Sequence, residues 1–375
     1  MMLALIIITL LYTCLIAALW VGFNKVESFD TTESDIKIGF SIIIPFRNEA
    51  HHLPQLLKTI ANLNYPNHLF EVWLVNDHSK DDFVQVIESF QQYYQNIQIK
   101  VLNCVKTTKS PKKEALNLGI LHSKFDWVLT TDADCELSPN LLVTYNAFIN
   151  KNNPVMVCAP VGMKIENSFL NHYQLFNFLS LIGSSIGAFG IGHPIMCNGA
   201  NLCFNKKAFF KVNGYQGNLH IASGDDVFLL EKMLQSYPKK VHFLKSADTI
   251  VKTTPENSWS TFINQQLRWA SKTGSYNNYK TKLIGILVFS ENLMLVYASF
   301  YSLFYPMLFP AFAIAFVLKL VFDVILITKT SAFLKSNSNL WHYFPTAVLY
   351  PFITTSIGIV SLFKKYTWKH RSFIS

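Results

Sequence analysis

Charge is missing where a soluble domain would carry it: Met1 to Phe23 holds no Asp, Glu, Lys or Arg. A run of that length covers a bilayer core, which takes about 20 helical residues, and it exceeds the apolar stretch of a secretory signal. No basic segment precedes it, and Ala17-Ala18 offers the one alternative, a cleaved signal, so residues 1–23 are expected to stay as a membrane anchor. Paired cysteines are missing too. The six present lie at 14, 104, 135, 158, 197 and 203, with neither metal-site spacing nor the density of a secreted disulfide framework, which points to reduced thiols in a cytoplasmic domain. No internal repeat or low-complexity tract is visible, so a solenoid is not expected.

What is present is apolar mass. The chain has 375 residues, 50% of them hydrophobic, enough for one sizeable globular domain and several membrane segments. Three long apolar stretches close it: Leu283–Tyr305 with only Glu291 charged, Met307–Ile327 with Lys319 and Asp323, and Leu340–Phe363 with no charge. Each is long enough to span a bilayer. Lys319 and Asp323 are four apart, so on a helix they share a face and are expected to pair. The net charge of +9 would suit nucleic acid, but much of the excess flanks the apolar stretches, at Lys272, Lys280 and Lys282 and again at Lys364, Lys365, Lys369 and Arg371. That placement fits anionic lipid head groups, and no nucleic-acid partner is expected.

Residues 36–279 alternate short apolar runs with helical patterns, which predicts an α/β sheet domain. Strands are expected at Phe40–Pro45, Phe70–Val75, Ile97–Asn103 and Trp127–Thr131, with helices at Leu53–Leu63 and Lys112–Leu121 between them. Such alternation implies parallel strands, whose carboxyl ends collect ligands. The remaining divisions are closing membrane helices over 283–363, in two or three crossings, and a basic tail over 364–375.

The polar motifs fall at those strand ends. Pro45-Phe46-Arg47-Asn48-Glu49 follows the first strand, and its Asn and Glu either meet a ligand or cap a helix. Asp77 ends the second strand, placed to accept from a base or ribose, or to form a turn. Asp132 and Asp134 follow the fourth, two hard carboxylates one residue apart, a pattern suited to Mg²⁺ or Mn²⁺. Cys135 beside them reads as a small packing residue. Gly224-Asp225-Asp226 heads an apolar helical run, where an acid either complements the helix dipole or serves as a general base. Gln265-Gln266-Leu267-Arg268-Trp269 offers a guanidinium for phosphate oxygens and an indole for a sugar face, or for core packing.

In order, I-I-P-F-R-N-E, N-D-H-S-K-D, K-K-E-A-L-N, D-A-D, N-G-A-N, G-D-D and Q-Q-L-R-W, followed by membrane helices, resemble the family 2 inverting glycosyltransferases of GT-A fold, a Rossmann-like nucleotide-sugar-binding domain. The resemblance covers nearly all of the middle region. It implies a membrane enzyme that moves a sugar from a nucleotide-sugar donor, UDP-linked by expectation, to a lipid or glycan acceptor at the cytoplasmic membrane, with a divalent metal and inversion. By it, Pro45, Glu49 and Asp77 hold the nucleoside, Lys113 lies along the donor, and Asp132 and Asp134 bind the metal-diphosphate. Asp226 is the general base, with Asp225 its rival because G-D-D replaces the family's T-E-D; Gln265, Arg268 and Trp269 serve diphosphate and acceptor. Asn76 stands where many members have an acid. A processive polysaccharide synthase and a non-catalytic nucleotide-sugar-binding scaffold are the alternatives. With the sheet domain inside, three closing crossings would place the basic tail outside, so one segment, Leu283–Tyr305 first, is expected along the interface.

Overall fold

The computed structural model describes residues 2–30, 35–105, 109–272, 278–336, 338–363, 366–368 and 371–373. In chain order come α1 (Met2–Lys25), β1 (Phe40–Phe46), α2 (Leu53–Ala61), β2 (Phe70–Asn76), α3 (Phe83–Tyr93), β3 (Ile99–Asn103), α4 (Pro111–His122) and β4 (Trp127–Thr130). Next are β5 (Cys135–Glu136), α5 (Leu141–Asn152), β6 (Met156–Cys158), β7 (Val161–Met163), α6 (Phe169–Gly190), β8 (Leu202–Asn205), α7 (Lys206–Lys211) and α8 (Asp225–Ser236). After β9 (Val241–Phe243) and β10 (Val251–Thr253), helices α9 (Trp259–Ser271), α10 (Tyr279–Phe304), α11 (Phe309–Phe333) and α12 (Tyr343–Ser361) follow. These divide into a sheet unit, Glu27–Lys164 with Met196–Thr254, and a helical unit, Met1–Val26, Ile165–Ile195 and Pro255–Ser375. α6 and α9 group with the long apolar helices in the helical unit.

In the sheet unit the seven main strands run in the order β3-β2-β1-β4-β8-β6-β9. The first four are parallel, as the alternation implies. β8 then enters antiparallel to both β4 and β6, making the sheet mixed. The βα rhythm ends at β4, and strands as short as β6 and β9 carry no pattern that would announce their direction. Phe40, Ile42, Ile43 and Ile44 of β1 are all buried, as a strand covered on both faces must be. Helix α2 buries Leu53, Leu56, Leu57 and Ile60, the one-sided spacing of an amphipathic helix. A three-stranded sheet, β5-β10-β7, pairs Thr253 with Cys135 and so brings β10 to the acids that follow β4.

Among the described residues, the helical unit holds four helices long and apolar enough to cross a membrane, within Met2–Lys25, Tyr279–Phe304, Pro306–Phe333 and Leu340–Ser361. Lys319 and Asp323 pair as expected, and Tyr12 Oη donates to Asp323 Oδ1 at 2.7 Å. Glu291, the one acid of α10, is buried and accepts from Thr9 Oγ1 of α1 at 3.2 and 3.1 Å, so its carboxylate is met inside the bundle. Helix α6 was not anticipated. It packs along α1 through glycines: a Cβ on Gly187 would lie 2.2 Å from the Leu19 carbonyl oxygen, and one on Gly190 1.8 Å from that of Gly22. Backbones this close are how helices associate where water supplies no driving force. Of the basic tail, Lys364, Lys365 and Lys369 lie outside the described residues.

Candidate active site

The loops after β1 and β2 are laced together. Asn48 takes a left-handed backbone, φ 53°; its amide donates to Ser79 Oγ and its Oδ1 accepts from Lys80 N, both at 2.9 Å. Arg47 Nη1 donates to the Asp77 carbonyl at 2.7 Å, and the Ala50 amide donates to Asp81 Oδ2 at 2.7 Å. Asn76 bridges outward, its Nδ2 donating to Asn103 Oδ1 and its Oδ1 accepting from Ser79 N, both at 2.8 Å. An acid there could not donate the first of these bonds. Asp77 and Glu49 are buried and Pro45 half-buried within this cradle.

β4 leads directly to Asp132 and Asp134. Lys112 of α4 sets its Nζ 2.7 Å from Asp132 Oδ1 and 3.5 Å from Asp225 Oδ2. Burial alone would lower this lysine; Asp132, Asp225 and Asp226 outweigh it and hold the ammonium well above its ordinary value. Asp226 Oδ2 accepts from the Gly199 amide at 3.3 Å, and its Oδ1 from Val227 N at 2.8 Å. The Gly199 carbonyl accepts in turn from Thr130 Oγ1 at 2.7 Å. Gly224, at φ 81°, turns the chain so that both acids open α8, a conformation glycine takes without steric cost.

Asp134 Oδ2 accepts from Thr253 Oγ1 at 3.0 Å, and its carbonyl from Thr254 Oγ1 at 3.2 Å. Burial, followed by the charges of Asp132 and Glu49, pushes the Asp134 carboxyl up. Acids from three distant stretches, Glu49, Asp132 with Asp134, and Asp225 with Asp226, thus act on one another or on Lys112. Burial and then Asp134 and Asp132 push the Cys135 thiol well up, leaving it a protonated packing group.

Lys113 is fully buried, and its Nζ donates to the carbonyls of Asn218 and Ile221, each at 2.8 Å. The ammonium facing the acids belongs to its neighbour, which the sequence reading passed over because two adjacent lysines offer no local sign of which way each points. Thr253 and Thr254 were missed as well: they lie at the end of β10 and just after it, over a hundred residues beyond Asp134, and only strand pairing brings them near. In the helical unit, Gln265 Nε2 of α9 donates to Glu256 Oε1 at 3.1 Å, and Arg268 and Trp269 are half-buried.

Residues 41–213 match the family model described as "Glycosyl transferase family 2". The chain is 31% identical to the "Probable glycosyltransferase YdaM" of Bacillus subtilis (strain 168), over 32% of this chain and 28% of that protein. It is 28% identical to the "Beta-monoglucosyldiacylglycerol synthase" of Nostoc sp., over 28% of this chain and 22% of that one. The match therefore spans less than a third of either relative. Among solved structures, the mannosyltransferase PcManGT of Pyrobaculum calidifontis, in complex with GDP-Man and Mn²⁺, superposes with a TM-score of 0.57 at 14% identity, covering 96% of both chains. That likeness establishes a GT-A-like fold.

Proposed function

We propose, for a chain whose residues 41–213 match the glycosyl transferase family 2 model, that it is a membrane enzyme moving a sugar from a nucleotide-diphosphate donor, UDP-linked, onto a lipid acceptor at the cytoplasmic face, with inversion. The carrying observation is Lys112 set between Asp132 and Asp225, which joins the ends of β4 and the start of α8 in one charged cluster. A relative named for a diacylglycerol-linked product and four helices able to cross a bilayer favour the lipid acceptor.

Asp226 would take the proton of the acceptor hydroxyl as that oxygen attacks the anomeric carbon and the bond to the diphosphate breaks. Asp225, facing Lys112, is the less suited base. Asp77 and the backbone around Pro45 would hold the nucleoside. Two acids one residue apart, both half-buried, with the Asp134 carboxyl raised by desolvation and then by Asp132 and Glu49, fit a divalent cation: Asp132 and Asp134 would hold it, and it would supply charge to the diphosphate oxygens. Lys112 would add a fixed positive charge beside the same oxygens. Gln265, Arg268 and Trp269 keep the diphosphate and acceptor roles that the motif resemblance implies.

A donor screen with Mn²⁺ and membrane lipid extract tests the reaction, and mass spectrometry of the product distinguishes single addition from a polymer. Asp226→Asn should lower transfer by about 10²–10⁴-fold with donor binding retained. Full turnover by that variant in a donor-consumption assay rejects the assignment.

A further inference from the structure

We infer that Glu49, His51 and His52 form a site for a nitrogen-preferring divalent cation of the zinc class, neighbouring the all-oxygen pair at Asp132 and Asp134 but distinct from it in its ligands. Each of the three offers one ligand atom, and all three atoms lie within 4.8 Å of one another. Glu49 is 8% exposed, His52 half-buried and His51 exposed, so the set runs from an anchored carboxylate to an imidazole open to solvent. The backbone already holds the turn: the Glu49 carbonyl accepts from the amides of His52 and Leu53 at 2.9 and 3.0 Å.

The donor set matches the cation. Two imidazoles and a carboxylate, with one side open, are the three protein ligands of zinc sites that keep a fourth position for water or substrate. Hard Mg²⁺ and Mn²⁺ favour oxygen ligands instead. His52 Nδ1 and Glu49 Oε2 now stand 2.7 Å apart in a hydrogen bond, and the His51 and His52 rings lie 3.8 Å apart. Ligands about 2.0–2.2 Å from a shared zinc stand about 3.3 Å apart in a tetrahedron, so a metal replaces that bond after a small opening of the pair. The bland alternative, a His–carboxylate hydrogen bond with a second ring resting on it, accounts for Glu49 and His52 but gives His51 nothing to do. A bound metal would tie Glu49 to the start of α2, immediately after Asn48, whose left-handed turn joins the β1 and β2 loops. Glu49 is then a ligand that orders the nucleoside cradle.

The test is metal binding by the full chain in detergent, stripped with EDTA and titrated with Co²⁺, so that it stands apart from transfer activity. Expected is one Co²⁺ with visible absorption of nitrogen-ligated, low-coordinate geometry, displaced by Zn²⁺. That signal should persist in the Asp132→Asn/Asp134→Asn double variant and weaken about tenfold or more in His51→Ala and His52→Ala. His51 is exposed, so its replacement leaves the core intact, and circular dichroism checks this. Unchanged Co²⁺ affinity in His51→Ala, or a signal lost only in the double variant, overturns the site.

Discussion

Lys112 and Lys113 stand side by side at the head of α4, and the helix sends their ammoniums in different directions. Lys113 meets two carbonyls of the 218–221 segment and lies 4.9 Å from the centre of the Phe228 ring. Lys113→Met should therefore destabilise the sheet unit by about 2–4 kcal/mol, since two charge-assisted bonds go and two carbonyls lose their donor; thermal unfolding reads the loss. Lys112→Met should act on chemistry instead. With the cation between Asp132 and Asp225 removed, kcat/KM for transfer should fall about tenfold or more, while the melting temperature moves less than in the Lys113 variant. The reverse ranking would return the donor-facing role to Lys113.

At the scale of elements, β2 carries a fully buried acid. Glu71 Oε1 accepts from Ser41 Oγ at 2.7 Å and from the Lys124 amide, and its Oε2 from Lys100 Nζ at 3.0 Å. Burial pushes this carboxyl up, but those donors outweigh it and leave it below its ordinary value of 4.5. An acid lowered in the folded state adds stability above its unfolded value, and that stability drains away as pH falls through the folded one. Glu71→Gln should thus cost about 1.5–3 kcal/mol near neutral pH, with the gap to the parent protein closing as pH drops below that ordinary value, followed by denaturant unfolding. Helix α6 is held by a different device. Gly187→Val would drive a side chain into the Leu19 backbone, and a loss of about 1–3 kcal/mol in the detergent-solubilised protein is expected from such overpacking.

At the scale of the molecule, the chain leaves the sheet unit after Lys164, forms α6, and rejoins it at Met196. The sheet unit and the helical unit are consequently not consecutive in the sequence. Chelation offers the global test of the charged cluster: EDTA should abolish transfer, and Mn²⁺ or Mg²⁺ should restore it, because the acids around Asp134 repel a bare diphosphate. Activity that survives exhaustive chelation would remove the metal from the proposed reaction.

Much of this was legible beforehand, for physical reasons. A parallel strand buried on both faces reads as a nearly continuous apolar run, broken here only by Ser41 in β1 and Glu71 in β2 and by polar ends, so β1, β2 and β4 announced themselves, and with them the strand ends where Asp77, Asp132 and Asp134 sit. Apolar length alone marked the four helices able to cross a bilayer, and helical spacing alone paired Lys319 with Asp323. Other features had no local signature. The direction of β8, the placement of α6 against α1, the choice of Lys112 over Lys113, and the arrival of Thr253 beside Asp134 all depend on contacts between segments far apart in the chain. Periodicity reports which face of an element is buried; what that face meets is decided only when the chain has closed on itself.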